Sequence, residues 1–504
     1  MDFRTRFTRT RPYPGDGGNA IDSPRYGEEL ERQLERDRAK VVNCDAIRRL
    51  QHGEGGACLA SGRTGHRGLS RALEAKQAGR FIVRTLYAKL PDSAASHHLG
   101  GLARALESVV EIACLAKNIG QPPFGQAAEE VLTDWFAAQL PRLAPWHHGT
   151  ASPDALPRRL MADLCRFDSG AQTLRMLTKL LHLNLTYTQT AALMSAAPVA
   201  EAGTDERRLG PSAYYLSELS YVDDAQAALA LAPERHHPAV YLVEAAETIA
   251  RGIADLEEAV ARGILDIPSL VVALKGAYAA RHHASGDAEI DAVINARVFC
   301  RHGVRRRWSF GGMLDWPLDR YRREPLSSPD KFFTYFRVGI VQVLVNCAAE
   351  SFITNLDAIH GGDHGHSLVD DNGPCAALVG ALEDVAAQCA RHDDVARLQA
   401  LEAKRAVQRV LDVFVPLLTL TRDDFAAVLA GRLEGPQASS LHRRRELLGA
   451  SELSAYDNAL VKCAHSQSIA GWEFYYRCRL IQDVVSGMTE ARVLDAGRVY
   501  GSDG

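Results

Sequence analysis

The 504-residue sequence has no C-x-x-C pair among its ten cysteines, no glycine-rich phosphate loop leading into Lys-Ser/Thr, and no serine nucleophile motif. Without C-x-x-C pairs the thiols read as reduced, scattered and mostly buried, rather than as a zinc or disulfide framework. The other two absences argue against a P-loop NTPase and a serine hydrolase. An excess of one charge is also missing, because 58 Lys and Arg face 62 Asp and Glu for a formal net charge of −4. That balance gives no electrostatic reason for non-specific capture by nucleic acid or membrane. Any anion site must therefore be local. The stretch from Met1 to Pro24 is rich in Arg, Gly and Pro and lacks an apolar run suited to a signal peptide. No later stretch approaches the roughly 18 unbroken apolar residues of a membrane span. A cytoplasmic protein with no membrane partner is expected.

What the chain does have is core material, at 46% hydrophobic against 24% charged residues, which sets it apart from disordered chains. Eighteen histidines invite a metal or proton-transfer reading. Periodicity is helical nearly throughout. Leu242, Ala246, Ile249, Ile253, Leu256 and Val260 recur by fours and threes, as do Val407, Val410, Leu411 and Phe414 before Pro416. No period-two strand stands out, so an all-α fold is expected. Loops are expected over 140–157, 197–211, 305–330 and 361–374, where Pro, Gly and small polar residues gather. These gaps are short and no repeat period appears, which suggests one large helical body with a C-terminal helical lobe.

Several colinear stretches carry a resemblance. Arg36-Asp37-Arg38, Val41-Val42-Asn43 and Ala46-Ile47-Arg48-Arg49-Leu50-Gln51 form an opening motif, and Trp472 to Leu480 with Ser486-Gly487-Met488-Thr489 a closing one. Between them lie Glu111 to Leu115, Pro122-Pro123-Phe124-Gly125, Tyr214 to Glu218 and Ala254 to Glu257. Together they resemble the bacterial deoxyguanosine triphosphate triphosphohydrolases of the HD superfamily, which cleave a dNTP into deoxynucleoside and tripolyphosphate. The resemblance covers essentially the whole chain. It implies an N-terminal arm over 1–25, an HD-type helical domain over 26–300 and a completing C-terminal lobe over 301–504. It also implies a homo-oligomer of hexameric kind and nucleotide metabolism as the setting.

Such chemistry needs a metal to neutralise phosphate charge and activate water. The family holds Mg or Mn with a His, a His-Asp pair and a later Asp, and a further His lies near the reacting phosphate. This sequence departs from that plan at each of those positions. Leu69-Ser70-Arg71-Ala72 replaces Leu-Thr-His-Ser, and Lys117-Asn118-Ile119-Gly120 replaces His-Asp-Ile-Gly. Gln126 stands for the later His, and Glu247 for the last Asp. Arg and Lys offer no lone pair at neutral pH, and their charge opposes a cation. At about 4 Å and an effective dielectric near 20, each unit-charge contact amounts to roughly 4 kcal/mol. No metal or other cofactor is expected.

The same substitutions have their own charge logic, since Arg71 and Lys117 could pair with Glu247 in place of a dication, or clamp an incoming triphosphate. Sugar-reading positions are eroded too. Asp255 keeps the family's Asp near the 3′-hydroxyl, but Arg251 replaces its Tyr, and Gly53-Glu54-Gly55 its Lys-Thr-Gln. Glu129 keeps the carboxylate that works beside the lost His. His66 lies five residues before Arg71, about 500° around a helix and off its face. It does not restore the ligand set.

These readings lead to a pseudoenzyme that has lost metal binding and catalysis and keeps a regulatory or structural role. The alternatives are an active dNTP triphosphohydrolase with an unusual site, and a nucleotide or single-stranded DNA binding module using Arg71, Lys117, Arg251 and Asp255. A hetero-oligomer with an active paralogue would suit the first. His360, Asp363, His364, His366, Asp370 and Asp371 are the competing metal cluster, expected as a solvated loop. The pairs His97-His98, His147-His148, His236-His237 and His282-His283 are expected as caps or surface, and Arg305–Arg307 and Arg443–Arg445 as solvated basic faces able to meet DNA.

Overall fold

The computed structural model describes residues 1–13, 26–50, 67–90, 97–143, 155–195, 214–285, 299–301, 304–306, 309–323, 328–369, 375–464 and 468–499. A 3-10 turn, Phe3–Arg6, precedes α1 (Tyr26–Asn43), α2 (Asp45–Arg49), α3 (Arg67–Lys89), α4 (Ala103–Ala116) and α5 (Gln126–Leu143). Next come α6 (Ala155–Leu164), α7 (Ser169–Arg175), α8 (Tyr187–Ala191), α9 (Leu219–Ala228), α10 (Pro238–Ala261) and α11 (Ile267–Ser285). The remainder comprises α12 (Phe310–Arg323), α13 (Pro329–Thr354), α14 (Leu356–Gly361), α15 (Ala376–Arg391), α16 (Asp394–Leu418) and α17 (Arg422–Leu429). It ends in α18 (Ala438–Arg445), α19 (Ala450–Cys463), α20 (Ile469–Gly487) and α21 (Glu490–Val499). The fold is all-α. Its one departure among the described residues is an antiparallel ladder pairing Phe299–Arg301 with Val304–Arg306, too short for alternation to reveal.

One core forms where α3 packs against α4, α10 and α13. The stripe foreseen on α10 is buried from Leu242 to Leu256, with Val260 half-buried at its end, and His237 caps this helix ahead of Pro238 at its first turn. Helix α13 is long and apolar enough to cross a membrane. Phe332, Phe333, Phe336, Ile340 and Leu344 instead line the protein interior. A second core joins α5 and α6 to α16, α20 and α21 through Phe136, Val410, Phe414, Tyr475 and Ile481. The N-terminal residues are part of the first core: Phe3 and Phe7 are buried, and the Arg6 guanidinium donates to the carbonyls of Leu229 and His360, both at 2.9 Å.

Three expectations need correction. The loop foreseen over 305–330 contains α12, because Phe310, Met313, Leu314, Pro317 and Leu318 form a buried helical stripe that outweighs the proline. Pro416 does not close α16, which runs on to Leu418: the buried stripe Val410, Phe414, Leu417 and Leu418 carries the helix past the one N–H that proline lacks. Cys347 and Cys375 are not free thiols but a disulfide joining α13 to the residue before α15, with Cα atoms 6.5 Å apart. Cys44, Cys114, Cys165, Cys389, Cys463 and Cys478 are free.

Candidate functional site

Helices α3 and α10, which carry Arg71 and Glu247, and α4, which ends at Lys117, pack against one another. Lys117 is the C-cap of α4, and its carbonyl accepts from Thr173 Oγ1 at 2.9 Å, while the Gly120 amide donates to the same oxygen at 3.0 Å. A Cβ on Gly120 would lie 2.2 Å from the Thr173 nitrogen and 2.5 Å from the Ser169 carbonyl oxygen. Only glycine fits this approach to α7. The backbone of the Lys117-Asn118-Ile119-Gly120 turn is thus held tightly although its side chains have changed.

Arg71 enters the site from α3. Its Nη2 lies 3.0 Å from Asp255 Oδ1 and 3.6 Å from Glu258 Oε2, both on α10. The foreseen pairing of Arg71 with Glu247 is therefore corrected: the guanidinium reaches two turns further along α10, where two carboxylates share it. Glu247 is mostly buried, and its Oε1 has no hydrogen-bond partner. Burial pushes its carboxyl above the ordinary range, against the through-space charges of Lys117, Arg251 and Arg71. Burial raises Asp255 as well, opposed by Arg71 and Arg251. Arg71 and Arg251 thus act on both acids, and Lys117 on Glu247.

This donor set does not fit a divalent ion. A guanidinium and an ammonium supply no lone pair, and the remaining carboxyl is biased towards its neutral form. Among the described residues no three His, Cys, Asp or Glu side chains converge as metal ligands. The positions meant for chemistry beside the metal also diverge. Gln126 is exposed at the start of α5 and donates to Glu130 Oε1 at 3.2 Å. Glu129 turns inward, accepts from the Ser169 hydroxyl, and has its carboxyl raised by burial. Arg251 projects into solvent, 3.8 Å from Glu383.

No family model matches the sequence. Curated relatives do, over nearly their full length. A probable deoxyguanosinetriphosphate triphosphohydrolase of Pseudomonas aeruginosa is 37% identical over 99% of this chain and 98% of its own. Deoxyguanosinetriphosphate triphosphohydrolases of Klebsiella pneumoniae and an Enterobacter species are 33% and 30% identical, each over 99% of this chain and 98% of theirs. The chain belongs to the deoxyguanosine triphosphate triphosphohydrolase family.

The motifs that carry family membership build the scaffold around the altered pocket. Arg49 of the opening motif donates through Nη1 to the Ser486 carbonyl of the closing motif at 2.8 Å, and through Nη2 to Ile119 in the turn after α4. Burial draws this guanidinium's pKa down to about 10. Asp37, fully buried, pairs with Arg11 at 2.8 Å and Lys40 at 2.9 Å. In α20, Arg477 pairs with Glu473 at 2.6 Å, and Arg479 pairs with Asp163 at 2.6 Å while stacking 3.5 Å above the Tyr215 ring. Arg175 on α7 bridges Asp483 at 2.6 Å and Glu218 at 3.0 Å. Sequence reasoning missed Asp163, Gln172 and Arg175 in this network. The available signal was Arg175 itself, a charge set in the apolar run Leu174 to Leu177, which only a buried partner can explain.

The competing clusters are absorbed elsewhere. His360 Nε2 lies 3.2 Å from the Asp2 carbonyl, Asp363 pairs with Arg235 at 3.1 Å, and His364 meets the Tyr241 ring. These side chains face different partners, and Asp370 and Asp371 lie outside the described residues, as do Gly53 to Gly55, His66 and His147-His148. Of the basic run on α18, Arg444 donates to the Val413 carbonyl and Arg445 to that of Leu429, at 2.9 and 2.8 Å. Two of its three cations are therefore partly committed to backbone rather than held free for DNA. Arg305 and Arg306 lie on the second strand, and Arg307 lies outside the described residues.

Proposed function

We propose that this chain is a pseudoenzyme of the family, which keeps the triphosphohydrolase architecture but neither binds Mg or Mn at the former metal site nor hydrolyses dNTPs. The observation that carries this reading is the Arg71 ion pair with Asp255, 3.0 Å long, on the helix that also holds the mostly buried Glu247, whose carboxyl is subject to the through-space charges of Lys117, Arg251 and Arg71. A dication entering there would meet roughly 4 kcal/mol of repulsion per unit charge from a cation at about 4 Å, while Asp255 and Glu258 are already engaged by Arg71. The role left to the protein is regulatory or structural, in the cytoplasm, as a homo-oligomer of the family's hexameric kind or as a hetero-oligomer with an active paralogue. Purified protein given dGTP with Mn²⁺ or Mg²⁺ releases no tripolyphosphate on this reading. Metal-dependent release that Glu247→Ala abolishes would overturn it.

A second reading has support in the exposure of Arg251 and the through-space charge of Lys117 on the pocket. These cations, with Arg71 and Asp255, would hold a dNTP without metal. A ligand bound to the native state raises its melting temperature. Thermal shift with dNTPs in chelator therefore separates a clamp from a closed salt-bridged plug, and an unchanged melting temperature removes the clamp.

A further inference from the structure

Cys347, half-buried on α13, and the buried Cys375 are joined across 28 positions of sequence. Their Cα atoms stand 6.5 Å apart, inside the roughly 4.4–6.8 Å that a disulfide spans, so the same backbone accommodates the link or two thiols. The chain between them seats the N-terminal residues. His360, at the end of α14, accepts through its carbonyl from the Arg6 guanidinium at 3.1 and 2.9 Å. Its ring meets Phe3 edge-to-face with centroids 5.0 Å apart, and its Nε2 lies 3.2 Å from the Asp2 carbonyl. The same stretch holds the start of α10: the Gly362 carbonyl accepts from the His236 amide at 3.1 Å, and Asp363 pairs with Arg235 at 3.1 Å. Leu356, Ile359, Leu368 and Val369 fix it to the first core. The link therefore closes the loop on which the N-terminal residues and the entry to the Glu247 helix rest.

We propose that Cys347 and Cys375 are a reversible redox site, opened and closed by exchange with a low-molecular-weight thiol of the glutathione class, that sets how firmly the N-terminal residues are seated. Cys347 is the more accessible partner, so the incoming thiolate attacks its Sγ. The bond between the two sulfurs breaks, and its electron pair leaves on Cys375 Sγ. A second glutathione thiolate attacks the glutathione sulfur of the mixed disulfide, releasing glutathione disulfide and the Cys347 thiolate. Each cysteine takes up the proton that one glutathione thiol gave to water. Two electrons pass in all, and glutathione disulfide drives the same steps backwards. Cys375 is suited to leave because it stands at the N-terminus of the 16-residue α15, its carbonyl accepting from the amides of Leu378 at 3.0 Å and Val379 at 2.9 Å. A helix N-terminus favours a thiolate. Burial raises the thiols of Cys114, Cys165, Cys389, Cys463 and Cys478, which makes them poorer competitors. In a reducing compartment such a pair is open, and it closes under oxidation. No step here depends on the loss of metal binding.

The test holds the full chain in glutathione buffers of graded reduced-to-oxidised ratio and follows it by thiol alkylation with mass spectrometry and by hydrogen exchange. The peptides carrying Cys347 and Cys375 should pass reversibly from linked to doubly alkylated. Opening the link should speed amide exchange at least about tenfold at Phe3–Arg6 and Leu356–Gly361, since a long loop regains its freedom to open, and leave α16 and α20 unchanged. Cys347→Ala and Cys375→Ser, each checked by its melting curve, should exchange at the reduced rate in every buffer. The comparison within the unmodified chain stands whether or not either variant folds. Four results overturn the proposal: thiols that stay open at every ratio, a link that stays closed in reduced glutathione, equal exchange in the two states, or a glutathione response at these segments that persists in a folded variant.

Discussion

Protonating His237 should loosen the joint between the N-terminal residues and the helix that carries Glu247. His237 Nδ1 accepts from the Ala239 amide at 3.1 Å, and Nε2 faces the Arg6 carbonyl at 2.7 Å. Together these bonds select the neutral tautomer with hydrogen on Nε2, and a second proton on Nδ1 would confront the capping N–H. Burial lowers the imidazole pKa from 6.5 to about 4, with the Arg6 backbone contact opposing and the Arg6 charge adding to the effect. The unfolded chain thus binds more protons between pH 6.5 and 4. Stability from this group is complete above pH 6.5 and declines as pH falls to about 4, by about 3 kcal/mol in all. Urea unfolding at pH 7.5 and 4.5, compared between wild type and His237→Asn, isolates this group because Asn can still cap the helix. The wild type should lose about 2–3 kcal/mol more than the variant over that interval. Parallel pH dependence in the two proteins would refute the buried neutral cap.

Gly120→Ala should destabilise by about 3 kcal/mol or more, since the new Cβ meets backbone that cannot yield, and would show as a lowered melting temperature or lost soluble yield. Arg175→Met strands Asp483 and Glu218 in the interior and should reduce stability by about 3–5 kcal/mol in chemical denaturation; adding Asp483→Leu should recover part of the loss. Restoring the family ligands through Arg71→His, Lys117→His, Asn118→Asp and Glu247→Asp together should create a Mn²⁺ site detectable by electron paramagnetic resonance or calorimetry, with no such binding in the unmodified chain.

The helical stripes of α10 and α16 were legible in the sequence because their apolar spacing matches their buried faces. Helix α12 was not, because Pro317 and the flanking prolines read as a loop, and only its packing shows that the stripe wins. The altered ligand positions were legible through the motifs around them, and they lie on α3, at the end of α4 and on α10, helices that pack against one another. The partner of Arg71 was not legible. Glu247, Asp255 and Glu258 all lie along one side of α10, and the choice among them depends on where α3 crosses that helix. The Arg175–Asp483 pair lies 308 positions apart in sequence, so no local pattern could connect it. The Cys347–Cys375 link is equally non-local, joining a mid-helix residue to one beyond α14.

The closing motif persists for a physical reason independent of catalysis. Arg477, Arg479, Asp483 and Glu473 are buried charges, and each is held by a partner on another segment or the adjacent turn. Removing one member exposes the other to an uncompensated interior, whereas replacing a metal ligand at the pocket rim only removes a function. A chain can therefore lose its metal site while the network that positions it remains.

The most direct measurement is tripolyphosphate release from dGTP by the purified chain in Mn²⁺ and in Mg²⁺, followed to the detection limit beside an active relative. The pocket held by Arg71, Asp255, Lys117 and Glu247 predicts no metal-dependent product. Turnover that requires metal and disappears in Glu247→Ala would contradict it.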